Sequence, residues 1–143
     1  MRLNSISANR HIFDGQANGK PLRLLLSFDS GRTLRLGVAG DGATMAADGG
    51  LLDPPIDMGE YGQTDIADVA QSLFPRLCSC ELHDVQALTS NGVRVGVKLN
   101  LVGAEPFHFW VDGDELHWGD EAKLRKHDWL DKEIPRVSER IEI

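Results

Sequence analysis

The signatures that would assign a chemistry to this chain are missing from it. No Gly-x-Ser-x-Gly elbow, no His-Glu-x-x-His pair and no Gly-x-x-x-x-Gly-Lys-Ser/Thr loop occurs. That removes the local marks of α/β-hydrolases, zincins and P-loop nucleotide binding. Gly37-Val-Ala-Gly40-Asp-Gly42 places glycines after an apolar run. No lysine follows, and the nearby acids repel phosphate, so a turn is expected. Cysteine is scarce. Cys78 and Cys80 stand one residue apart, where a disulfide would close a strained loop. Both are expected to be buried, reduced thiols, as in a cytosol. No second pair of thiols completes a four-coordinate zinc site. No apolar run approaches the ~20 residues that a bilayer-spanning helix needs. Met1–Ser7 lacks the apolar segment of a secretion signal. The expectation is a cytoplasmic chain without metal or other cofactor.

Basic residues are missing as well, over one long stretch. Between Arg35 and Arg76 there is no Lys or Arg, but there are Asp41, Asp48, Asp53, Asp57, Glu60, Asp65 and Asp68. These seven acids match the net charge of −7. A second all-acidic cluster holds Asp112, Asp114, Glu115, Asp120 and Glu121. Such a chain is drawn neither to nucleic acid nor to an anionic membrane. A basic protein is the partner that suits it, although solubility alone also explains net charge of this size.

What is present is alternation. At 143 residues, one domain can bury a core unaided by staples. Val93, Val95, Val97, Leu99 and Leu101 fall at period two, with Arg94, Lys98 and Asn100 between them. That spacing predicts a long half-buried strand. Phe107–Val111 and Leu116–Trp118 continue an antiparallel ribbon, and residues 82–89 pair back onto it across Asn91-Gly92. Leu24, Leu26, Leu36 and Val38 predict a hairpin over 21–39, turning at Asp29–Arg32. Short strands are expected in the first 13 residues, at 44–47 and at 137–143, with a hairpin turn at Asn18-Gly19. Ile66, Val69, Ala70, Leu73 and Phe74 recur at helical spacing behind Thr64, which predicts a helix over 64–74. A strand over 63–69 is the competing reading. A second short helix is expected between Gly119 and Leu130. The fold class is mainly β: a single domain, 1–143, of antiparallel sheet, sandwiched or curled, with one or two short helices. The α+β class is the alternative, should the first helix pack on a sheet face.

Three functional readings follow. His108, Trp110 and His117, beside Asp112, Asp114 and Glu115, suggest a small enzyme or ligand-binding module, but their spacing matches no metal-ligand or catalytic pattern. A structural subunit exposing the sheet edge at 137–143 is another. The third rests on the glycine- and proline-rich loop over 40–62, which carries Leu51, Leu52, Met58 and Tyr61 among Asp41, Asp48, Asp53, Asp57 and Glu60. Apolar anchors inside a charged rim are what a protein interface needs. The Asp112–Glu115 turn, with Asp114, is expected to add a second acidic patch. Asp57-Met-Gly-Glu-Tyr-Gly62 and Val111-Asp-Gly-Asp-Glu-Leu-His-Trp118, in a small acidic β-rich chain, resemble small bacterial immunity proteins. That resemblance implies a non-enzymatic inhibitor that neutralises a cognate toxin by binding it.

Overall fold

The alternating segments assemble into two antiparallel sheets that face each other. The computed structural model describes residues Met1–Ile143. The first sheet holds β1 (Leu3–Phe13), β2 (Gln16–Ala17), β3 (Arg23–Phe28), β4 (Thr33–Val38), β5 (Met45–Asp48) and β6 (Gln63–Asp68). β3 and the short β2 share one edge of β1, and β6 takes the other. The second sheet holds β7 (Leu82–Ser90), β8 (Val93–Leu101), β9 (Phe107–Asp112), β10 (Glu115–Gly119) and β11 (Arg136–Arg140), ordered β10-β9-β8-β7-β11. Ile6, Leu24, Leu26 and Leu36 from the first sheet meet Val97, Leu99, Phe107 and Phe109 from the second in one buried cluster. The only helices are α1 (Ala70–Leu73) and α2 (Glu121–Lys126), apart from two single 3₁₀ turns. The molecule is a mainly β sandwich, not an α+β layer structure.

Four local expectations are corrected. Residues 63–68 are strand, not helix, because β1 has a second edge whose N–H and C=O groups need partners. Asp65, expected at a helix start, instead receives two hydrogen bonds from Arg10 at 3.0 and 2.8 Å. Ile66, expected on a buried helical face, is exposed. Val69, Phe74 and Leu77 do enter the core, through α1 and the turn after it. The first hairpin turns at Asp14-Gly15, where φ is 51° and 74°. Both values suit the mirror-image turn that matches strand twist; Asn18-Gly19 comes after β2. The alternation of β8 breaks at Val95. Thr89 pairs with Arg94 and Leu88 with Gly96, a bulge that leaves Val95 without a partner. Val95 therefore joins Leu88 and Trp110 on the outer face of the second sheet, under Leu124 of α2 and Trp129. The two thiols are half-buried, unpaired, and donate weakly to the Phe74 and Arg76 carbonyls.

The outer face of the first sheet is crossed by a strap. From Asp48 the chain runs over β4, β3 and β1 to reach the far side. Arg35 grips Asp48 with Nε and Nη2, each at 3.0 Å, and donates Nη1 to the Leu51 carbonyl at 2.8 Å. Arg23 pairs with Asp53. Asn9, almost fully buried, donates to the Asp53 carbonyl at 2.9 Å and accepts from its N–H at 3.1 Å. Pro54-Pro55 then needs no donors satisfied. Exposed ion pairs are each worth about 0–1 kcal/mol, so they position the strap more than they stabilise the sandwich. Arg23→Ala should change global stability by less than about 1 kcal/mol, while amide hydrogen exchange at Asp53, whose N–H is held by Asn9, speeds up by tenfold or more. A strap as protected as in the parent would contradict this.

Candidate partner-binding surface

Beyond the strap the chain folds into a small hairpin. Thr64 N–H donates to the Ile56 carbonyl at 2.8 Å, and Ile56 N–H to the Thr64 hydroxyl at 2.9 Å. Met58 N–H reaches the Gly62 carbonyl at 2.8 Å, closing over a 3₁₀ turn at Gly59–Tyr61. Gly62 has φ of 95° and its α-carbon faces the Ile12 carbonyl so closely that no side chain fits. His11 Nε2 donates to the Tyr61 carbonyl at 2.7 Å, tying the tip back to β1. A rigid backbone thus presents exposed apolar side chains: Ile56 is 54% exposed, Met58 37% and Tyr61 69%. Asp57 accepts the Gly59 N–H at 2.9 Å but meets no cation, and Glu60 forms no ion pair. Leu51 is also exposed, whereas Leu52 is half-buried.

The other acids divide by what they touch. Asp48 and Asp53 are held by Arg35 and Arg23, and the Arg35 hydrogen bonds keep the Asp48 carboxyl below its ordinary range. Asp41 is turned into its own loop, where the Ala43 and Thr44 N–H groups lower its pKa. Asp112, 15% exposed, accepts from His127 Nε2 and Lys132 Nζ, each at 2.7 Å. Burial pushes that carboxyl up, but the two donors more than offset it. Asp114 has no side-chain partner, and its N–H donates to the Gly42 carbonyl at 3.1 Å. That bond joins the β9–β10 turn to the β4–β5 turn, so the second acidic cluster meets the Asp41 end of the first. Glu115 lies 3.7 Å from Lys20 and 3.9 Å from His117.

The histidines do something else. His108 and Trp110, candidates for a ligand-binding site in the sequence, are both buried. Trp110 is covered by Trp129 and α2, and His108 Nδ1 donates to the Gly119 carbonyl at 3.2 Å. His117 stacks on Trp110 at 5.9 Å, and His127 lies edge-on to His117 at 4.7 Å. Lys20 donates to His117 Nδ1 at 2.9 Å, which leaves Nε2–H to donate to the Asp112 carbonyl at 3.2 Å. The ring is therefore neutral. No three ligating side chains converge as a metal would require. These rings fasten the segment after α2 to the second sheet. Sequence reasoning missed His127, Trp129 and Lys132, since only the return of the chain brings His127 and Lys132 to Asp112 and Trp129 to Trp110. It also missed Arg23 and Arg35, although both stand on the strand face opposite Leu24 and Leu36 and beside an acid-rich loop.

The buried rings carry a pH consequence. Burial holds the His108 and His117 pKa values below the ordinary 6.5. The unfolded chain then binds protons at higher pH than the native one, so native stability is full above about 6.5 and falls as pH drops toward the native values. Asp48, Asp65 and Asp112 are shifted below the ordinary 3.8, so their contribution is present above 3.8 and disappears at still lower pH. Thermal midpoints should decline as pH falls below about 6.5 and again below about 4. A His117→Gln variant should show a shallower first decline; an identical slope would remove His117 from this account.

No protein-family model, curated protein or solved structure matches the chain.

Proposed function

We propose that this protein is a non-enzymatic binding protein, an immunity or antitoxin-type inhibitor that docks on a more basic protein such as a toxin nuclease domain. The Ile56–Thr64 hairpin carries the reading: a tightly bonded backbone displays Met58 and Tyr61 beside Asp57 and Glu60, whose carboxylates pair with no cation. Rigid presentation lowers the entropy cost of binding, and aromatic anchors in a charged rim supply affinity and steering. Asp41, Asp48, Asp53 and Asp112 shape this surface through internal bonds, while Asp57, Glu60, Asp114 and Glu115 face the partner. A nuclease cleft evolved for phosphates is basic, and this acidic surface competes for it. Such an inhibitor works in the bacterial cytoplasm that it protects, needs no cofactor, and contacts neither nucleic acid nor membrane. No helix of the protein is long and apolar enough to cross a membrane.

The ligand-binding alternative built on His108, Trp110 and His117 has less support, because Trp110 and His108 are consumed in packing. The test mixes the purified protein with the product of an adjacent toxin-like gene. A stable complex and loss of the toxin's activity are expected. Neither complex nor inhibition would overturn the reading.

A further inference from the structure

A cleft of about 450 Å³ lies between the base of the hairpin and the β9–β10 turn. Its apolar lining comes from Leu22, Val38, Ile56 and Leu116. Its charges are Asp53, Asp114 and Glu115 against Lys20 and Arg23. Both cations are already engaged, Arg23 with Asp53 and Lys20 with Glu115 and His117. One carboxylate, Asp114, is left without a partner. Asn18 also lines the cleft; its Nδ2 bonds His11 Nδ1 at 3.0 Å, and its amide oxygen makes no hydrogen bond within the protein.

We infer that this cleft receives one arginine side chain of the basic protein partner. The inference rests on the binding function proposed above and names what that partner inserts. A phosphate or carboxylate ligand would face net negative charge. An uncharged apolar ligand would leave Asp114 unpaired beside it. An alkyl stem ending in a cation satisfies both the apolar lining and the single free carboxylate. Guanidinium suits the site better than ammonium. Its planar fork has five N–H donors for acceptors on separate residues, and its weaker hydration lowers the cost of entering a partly apolar cleft. Ile56 and Thr64 belong to both the cleft and the hairpin, so an arginine seated here lies next to a partner surface held by Met58 and Tyr61.

The experiment has a part that needs no partner. N-acetyl-L-arginine amide is titrated into the ¹⁵N-labelled protein and amide shifts are followed by NMR. Saturable shifts centred on Val38, Thr64 and Leu116 are expected, with no saturable response to the isosteric but uncharged N-acetyl-L-citrulline amide. Asp114→Asn should weaken the arginine compound by about tenfold, since a charge-assisted bond becomes a neutral one. Asparagine tolerates the left-handed backbone at this position, where φ is 62°, so the variant keeps its fold. An equal response to the citrulline compound, shifts centred elsewhere, unchanged affinity in Asp114→Asn, or tighter binding of N-acetyl-L-lysine amide would overturn the inference. The second part uses the toxin complex. A complex weakened by Glu60→Lys but indifferent to Asp114→Asn removes the arginine from the cleft and leaves the binding function standing. An arginine response with no toxin binding does the reverse.

Discussion

Tyr61→Ala should weaken the toxin complex by about 30-fold or more, mostly through faster dissociation. The ring is 69% exposed in the free protein, so its removal costs the fold little. In a complex it becomes a large, two-torsion anchor of the kind whose truncation costs at least about 2 kcal/mol, and each 1.4 kcal/mol is about tenfold in affinity. Glu60→Lys should act differently. It removes a steering charge that pairs with nothing inside the protein, so the association rate should drop and become less sensitive to salt. Asp57 is a less clean site for reversal, since its carboxylate also accepts the Gly59 N–H at 2.9 Å; Asp57→Asn keeps that bond while removing the charge. Surface plasmon resonance across a salt series separates the rate effects. Unfolding free energies of Tyr61→Ala and Glu60→Lys should stay within about 0.5 kcal/mol of the parent. Unchanged binding in both variants would move the interface away from the hairpin.

Trp110→Ala should be the most damaging single substitution for stability, costing about 3–5 kcal/mol. Trp110 is fully buried at the centre of the second apolar cluster, touching Leu88, Val95, Leu124 and Trp129, with His117 stacked on it. Its removal leaves a cavity under α2 and weakens the seat of His127, and with it the clasp on Asp112. Trp110→Phe should cost less. The indole N–H is buried without an acceptor, a defect worth about 1–3 kcal/mol, and phenylalanine removes it while filling part of the volume. Urea denaturation of both variants gives the comparison. If Trp110→Phe were as destabilising as Trp110→Ala, the unpaired N–H would not be the cost assigned to it. The same pair bears on function: the indole is fully buried and offers no surface to a partner, so Trp110→Phe should bind the toxin like the parent. A ligand site built around the indole would predict loss of binding instead.

The predictions differ in kind because the two acidic regions differ in what surrounds each carboxylate. Asp53 and Glu60 are indistinguishable as charges in a loop. One is paired with Arg23, and the other faces solvent alone. The acidic sum over 40–62 therefore overstates the charge that a partner meets, and Asp114, one carboxylate among several in its turn, turns out to be free.

Much of the sandwich was legible in the chain itself. Apolar residues at period two can be buried only on one face of a strand, so Leu24, Leu26, Leu36, Val97 and Leu99 declared a β core before any contact was known. Asn91-Gly92 marked its hairpin because both residues tolerate positive φ. Long-range geometry decided the rest. Ile66, Val69, Ala70, Leu73 and Phe74 fit a helix as well as a strand and turn, and the open edge of β1 selected strand for the first of them. A bulge opposite Leu88 and Thr89 moved Val95 to the other face, which local alternation cannot register. The pairings of Arg23 with Asp53, Arg35 with Asp48, and His127 and Lys132 with Asp112 span 13 to 30 residues. Period and propensity describe neighbours along the chain, whereas a carboxylate's freedom depends on whichever cation the folded backbone brings beside it. The sequence by itself settled that this protein is mainly antiparallel β with concentrated acidity, and the tertiary structure alone decided that its sheets form a sandwich and which of those acids another molecule can reach.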